Sequence, residues 1–209
     1  MLSRLLLCIP LVLAGCTTES TSKPARSAIE ELLISTAAER AADKLILQMP
    51  SKAKVFVDTT NFDGTDSKYA ISAIRDSLLR QGVHLADDKK SAQTVIEIRS
   101  GALSTEEKTF LIGIPSFNIP IPLAASGLTF PEIALYKSDD QEGVAKFAFT
   151  AYDLKEGTLN ESGVPQFGFS HDIQKTILIF YSWSMNDIFP QDQNVPANEI
   201  IQPMNDRVF

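Results

Sequence analysis

The chain has 209 residues, a formal net charge of -7 and two cysteines. That length suffices for one sizeable domain with a core of its own. The acidic balance argues against a nucleic-acid binder, which needs a basic face to displace counterions from phosphates, and no apolar run reaches the roughly 20 residues of a membrane-spanning helix.

Arg4 precedes the apolar run Leu5 to Leu13, the layout of a secretory leader. Small residues, Ala14 and Gly15, then stand directly before Cys16, and Leu13-Ala14-Gly15-Cys16 resembles the lipobox of bacterial lipoproteins. The resemblance implies a signal peptide over residues 1–15, cleavage before Cys16, and acyl chains on Cys16 that hold the mature chain to a membrane. Two or more such chains supply the hydrophobic anchors that stable attachment requires. Thr17 stands where an Asp retains such proteins at the inner membrane of enterobacteria-like cells, so the resemblance implies the outer membrane, with the domain facing the periplasm. Cys8 leaves with the leader, so no intramolecular disulfide is available and the core must hold the fold. The Ser- and Thr-rich stretch from Thr17 to Lys23 reads as flexible, giving a lipidated tether over residues 16–26.

Ser27-Ala28-Ile29-Glu30 has the form of a capping box, and Ile29, Leu32, Leu33, Ala37, Ala41 and Leu45 follow at helical spacing. This predicts a first helix that ends before Pro50, either packed on its own domain or leaving it to join neighbours in an oligomer. Lys54 to Asp58 reads as a strand, Ser67 to Gln81 as a helix with Ala70, Ile71, Ile74 and Leu78 inward, and Gly82 as its left-handed cap. Val83 to Ala86 is a short strand and Thr94 to Leu103 a longer one.

The run Val55-Phe56-Val57-Asp58, the helix ending Leu79-Arg80-Gln81-Gly82-Val83, and Ala92 leading into Val95-Ile96-Glu97-Ile98 resemble the α/β domain of envelope lipoproteins of the CsgG and TraT type. In those proteins a following hydrophobic region meets membrane or neighbouring subunits. Here the corresponding stretch, Phe110 to Leu123, is apolar, uncharged and broken by Pro115, Pro120 and Pro122. Proline removes backbone donors, so the expectation is an irregular segment rather than a regular strand or helix. It is either a loop over the core or a lip that contacts a partner subunit or the inner leaflet, with Phe110, Ile114, Phe117, Ile119, Ile121 and Leu123 as the contacting side chains.

Phe130 to Lys137 and Val144 to Leu154 read as strands joined by a polar turn, Ser138 to Gly143. Gly157 suits a hairpin turn, and Gln166 to Ser170 and Lys175 to Trp183 complete an antiparallel meander. The segments Pro131 to Lys137, Ala151-Tyr152-Asp153, Gly168 to Asp172 and Asn186 to Pro190 are also similar to a family of uncharacterised bacterial lipoproteins. Residues 191–209 read as a poorly ordered tail.

Ser170-His171-Asp172 contains the letters of a hydrolase triad, but neighbours on a strand point to opposite faces and cannot align as nucleophile, base and orienter. His171 is instead expected in a turn. His84 and His171, with no further cysteine, make no metal set, and no cofactor is implied. Phe62-Asp63-Gly64-Thr65 resembles the aspartate-nucleophile phosphatases, with Asn61 in the nucleophile position; Asp58, Asn61 and Asp63 form a candidate ligand cluster at a strand end. Tyr181 and Trp183 share a strand face and could stack a sugar ring.

The expectation is a single α+β domain over residues 27–190, with a curved, mixed but mostly antiparallel sheet and two main helices. Its function is expected to be that of a non-enzymatic, outer-membrane-anchored lipoprotein in an envelope assembly. Its partners would be the membrane, through Cys16, and a protein partner or second copy. The alternative is a binding module for an amphiphilic ligand or glycan.

Overall fold

The computed structural model describes residues 26–48, 54–120 and 128–189. The leader, Cys16, the tether up to residue 25 and the tail lie outside the described residues, as do Ile121 and Leu123. Helix α1 spans Ala28–Asp43, and both halves of the capping box are present: Glu30 N–H donates to Ser27 Oγ, and Ser27 N–H donates to Glu30 Oε2. Its buried face is Leu33, Ile34, Ala37, Ala38, Ala41 and Ala42, so Ile29 and Leu32 sit at the margin of the contact.

Strand β1 (Lys54–Asp58) buries Val55 and Val57, and α2 (Ser67–Arg80) follows it, turning Ala70, Ile74, Ser77 and Leu78 inward. Gly82 takes φ +83°, the left-handed cap that its position implies. The short β2 (His84–Leu85) and the long β3 (Thr94–Ile114) pair parallel to β1 on its two sides. A single 3-10 turn, Lys89–Ser91, connects them.

Beyond β1 the sheet becomes antiparallel and leaves the body. β3 pairs along its whole length with β6 (Ile133–Asp153), each strand 21 residues long, from Thr94↔Asp153 to Ile114↔Ile133. Between them, β4 (Phe117–Ile119) and β5 (Leu128–Phe130) form a small two-stranded cap. Two sequence expectations are corrected here. Phe110–Ile114 is strand, with a register shift between Ile112 and Gly113, because the first proline comes only at Pro115 and β6 pairs one edge of the preceding backbone. Ser138–Gly143 is no turn: it pairs with Thr105–Phe110 on one side and Ser170–Lys175 on the other.

β7 (Leu159–Ser162) pairs with the body end of β6, after a turn in which Gly157 takes φ +68°. β8 (Gln166–Ile177) and β9 (Tyr181–Asn186) complete the order β2-β1-β3-β6-β8-β9. The expected strand Lys175 to Trp183 is thereby split by a turn at Leu178–Phe180, and His171 lies within β8 rather than in a turn.

Both helices pack on one face of the sheet, and the core between the layers gathers Ile96, Ile98, Phe147, Phe149 and Ala151 with the alanines of α1. Phe62, from the loop after β1, tilts against Phe147 at 5.2 Å between ring centroids. α1 lies on β8 and β6 instead of leaving the domain. Ser170 Oγ donates to the Leu33 carbonyl at 2.7 Å, while Arg40 and Lys44 donate to the Phe169 and Phe167 carbonyls. As β8 advances from Phe167 to Ser170, its partners on α1 run backward from Lys44 to Leu33. The start of α1 therefore points along the sheet toward the far end of the β3–β6 hairpin.

This is an α+β domain with two helices and a curled mixed sheet among the described residues. Its most distinctive part is an arm, made of the outer halves of β3, β6 and β8 with β9, that extends past the helical layer.

Candidate functional site

Cross-strand register builds the arm as rows, and the rows change character along it. Lys108, Asp140, Ile173 and Met185 form one row, Phe110, Ser138, Lys175 and Trp183 the next on the same face, and Ile112, Tyr136, Ile177 and Tyr181 the one after. Charge thins out, aromatic side chains appear, and the β4–β5 cap beyond them pairs Phe117 with Phe130, Asn118 with Thr129 and Ile119 with Leu128. Residues 109–131 contain no charged side chain at all.

The tip is exposed. Phe110 is 58% accessible, Ile114 52%, Phe117 45% and Ile119 44%. Phe110 and Ile112 project from one face of the arm, while Leu111 projects from the other, in a row that continues with Lys137, Thr176 and Ser182. Phe117 stacks on Phe130 at 4.9 Å, and Phe110 meets Tyr136 edge-on at 6.1 Å. Next to the hairpin end, the β8–β9 turn presents Leu178, Ile179 and Phe180, the last 80% accessible, with Leu178 N–H donating to the Leu135 carbonyl. Glu132, the ionisable residue nearest the tip, turns its carboxylate to Lys137 at 3.2 Å. Four of the six residues expected to form the contacting lip are thus brought together and exposed.

Sequence reasoning missed Ile112, Leu128, Ile133, Leu135, Leu178 and Ile179, which belong to the same surface. The available signal was the uncharged run from Thr109 to Pro131, read together with a second one from Thr176 to Asn186.

Tyr181 and Trp183 share one face of β9, with ring centroids 5.6 Å apart and planes at 47°. They stand in the rows at the base of the tip rather than in an enclosed cleft. Asp58, Asn61 and Asp63 do lie at the end of β1, but each is engaged separately. Asp58 accepts from Thr60 N–H and Oγ1 and pairs with Lys89 at 3.3 Å, and those bonds, the Thr60 hydroxyl foremost, hold its carboxyl below the usual range. Asn61 donates to Glu97, and Asp63 Oδ1 accepts from Gly64 N–H. This is turn chemistry, with each polar group already partnered.

Ser170 and Asp172 face α1 and are buried, while His171, between them, faces the other way; its N–H donates to Asp187 Oδ1. Asp172 Oδ1 and Oε1 of its register partner Gln141 have no hydrogen-bond partner among the described residues, and burial pushes the Asp172 carboxyl above the usual range. A cavity of about 750 Å³ opens between the starts of α1 and α2, lined by Leu32, Ser35, Asp66 and Tyr69 among others. The Glu39 carboxylate, accepting from the Tyr69 hydroxyl, raises that phenol to about 12. Among the described residues no group of three or more His, Cys, Asp and Glu is placed to hold a metal ion, and no helix is long and apolar enough to cross a membrane.

The model of a protein family of unknown function, DUF6655, matches residues 10–175. That span takes in Leu13–Cys16, α1, both strands of the long hairpin and most of β8. No curated protein matches the chain.

Proposed function

Because the chain belongs to this family of unknown function, its role has to be read from its own surfaces, and we propose that it is a non-enzymatic, outer-membrane-anchored periplasmic lipoprotein serving as a scaffold or accessory subunit of a cell-envelope assembly. The observation that carries this is the exposed, uncharged end of the arm. A contiguous apolar surface of this kind is costly to leave in water and marks an attachment site. The Leu13–Cys16 stretch would supply the anchor, on its resemblance to a lipobox.

Replacing Phe117 and Ile119 with Ser tests the reading. Both side chains are more than 40% accessible, so the monomer should stay folded. Recovery of envelope partners after cross-linking in whole cells should be lost, and unchanged recovery overturns the proposal.

A second reading, a module for an amphiphilic ligand or glycan, draws support from the tilted Tyr181–Trp183 pair on an open strand. Its test is titration with soluble glycans or detergents below micelle concentration. A shift in the emission of Trp183, the single tryptophan, favours it, and a flat response to both classes removes it.

A further inference from the structure

We infer that the arm tip, the end of the β3–β6 hairpin together with the Leu178–Phe180 turn, seats shallowly in a lipid bilayer, the same one that holds the acyl chains of Cys16. This rests on the lipid anchor proposed above and makes the membrane, rather than the assembly partner, what the tip itself meets; recovery of an envelope partner then depends on the tip through its seating.

A protein partner would call for an apolar groove or one apolar face. Here the exposed apolar side chains are spread over separate projections: the hairpin face of Phe110, Ile112 and Ile114, the Phe117–Phe130 cap and the turn at Phe180. A medium that surrounds the tip fits this better than a surface that abuts it. The base of the tip carries the side chains that a membrane interface selects: Tyr136, Tyr181 and Trp183, each with an apolar ring and a polar edge, beside Lys175, whose stem can lie along apolar surface while its ammonium stays in water.

The backbone sets the depth. In hydrocarbon every N–H and C=O needs a partner, and beyond β1 the outer edge of β3 has no strand beside it among the described residues. That edge excludes a spanning element but is compatible with the headgroup and upper acyl layer, roughly 5–10 Å deep, where interfacial elements lie. The prolines now make sense. Pro115, Pro120 and Pro131 remove backbone donors at the part of the chain that goes deepest.

The anchor comes from the same side. α1 begins toward the tip, and ten residues separate Arg26 from Cys16, a reach of up to about 36 Å when extended. From Ser170, under Leu33, to Leu178 the strand advances about 26 Å, and the helical rise from Leu33 back to Ala28 recovers about 8 Å of that. The tether can thus bring acylated Cys16 to the plane of the tip.

Trp183, at the base of the tip, is the built-in probe. The full-length chain, purified from membranes of the cells that express it, is reconstituted into phosphatidylethanolamine–phosphatidylglycerol vesicles with brominated acyl chains. The expected result is a blue shift of Trp183 emission and quenching that is stronger with bromines near the headgroup than near the chain ends. With Phe117→Ser, Ile119→Ser and Phe180→Ser combined, the chain should stay vesicle-bound and melt as before, while quenching falls to the level of unbrominated vesicles. A vesicle-bound wild-type chain whose Trp183 is unquenched, quenching that survives the triple substitution, or quenching strongest at the chain ends overturns this inference and leaves the lipoprotein reading standing. A chain with no acyl group on Cys16 by mass and no quenching overturns both.

Discussion

Gly168 lies directly beneath Ala37: a Cβ built on Gly168 would come within 1.9 Å of the Ala37 carbonyl oxygen. A second contact repeats the pattern at Gly143, where a Cβ would meet the Leu33 carbonyl oxygen and Ser170 Oγ, each at 2.4 Å. The alanine face of α1 is therefore seated on bare backbone of β6 and β8. Gly168→Ala should force the helix away from the sheet and destabilise the fold by about 3 kcal/mol, the upper part of the range for overpacking. Urea unfolding checks this. Gly157→Ala, where a Cβ meets nothing within 4 Å, is the contrast, costing only the strain of a positive φ.

The turn at the end of β8 is built from the wrong residues for its geometry. Leu178 and Ile179 take φ of 51° and 72°, a region that suits glycine and asparagine and is costly for a β-branched side chain. Strain held at one place points to use. Replacing Leu178 with Asn and Ile179 with Gly should raise stability by about 1–2 kcal/mol. The same double substitution should weaken the vesicle-dependent quenching of Trp183. A gain in both, or a loss of stability, would show that the turn is not strained for the sake of the tip.

Two aspartates should tilt the pH profile in opposite directions. Burial raises the Asp172 carboxyl, so the folded chain holds that proton more tightly than the unfolded one. Stability from this group is then largest in acid and falls as pH rises from the ordinary Asp value through the raised one. Asp172→Asn should raise stability at neutral pH, with its amide able to donate to Gln141 Oε1 across the strand pair. Asp58 is lowered by its bonds from Thr60 and Lys89, so its contribution is present above the ordinary value and lost as pH falls through the lowered one. Asp58→Asn should destabilise at neutral pH and match the wild type in strong acid. Urea midpoints measured from about pH 3 to pH 7 distinguish the two.

Ser27→Ala should remove one half of the capping box and cost about 1 kcal/mol. Thermal melts with Ser27→Asp, which keeps an acceptor, should lie near the wild type. A full loss in both would mean that Ser27 acts through something other than the cap.

The capping box and Gly82 show what was legible in the sequence. Both are local, and a few side chains decide them. The segments β1, α2 and β3 were legible too, because one buried face leaves alternation or helical spacing behind, whereas their parallel pairing was not. The arm was not. Ser138–Gly143 has the composition of a turn because most of it lies at or beyond the edge of the helical layer, where a strand needs no apolar alternation, and Gly143 is bare where α1 sits on the backbone; its pairing is set by neighbours roughly 30 residues away. The turn at Leu178–Phe180 was hidden for the converse reason, since no turn residue marks it. Of the candidate site, the apolar lip was visible as an uncharged run, but its exposure depends on a register that no local pattern encodes.

The long hairpin also sets an order of assembly. Near the tip, Ile114 and Ile133 are 19 residues apart in the chain, whereas Thr94 and Asp153 at the body end are 59 apart, and Arg40 must find Phe169 across 129. Closing short loops costs less entropy, so contacts should zip from the tip toward the body, with α1 docking last. Substitutions near Ile114 should then slow folding, and those at Ala37 should mainly speed unfolding. A chain that folds in this direction completes its stickiest surface before it has a body, which makes the interval before that surface is covered the time when it most needs shielding from its own kind.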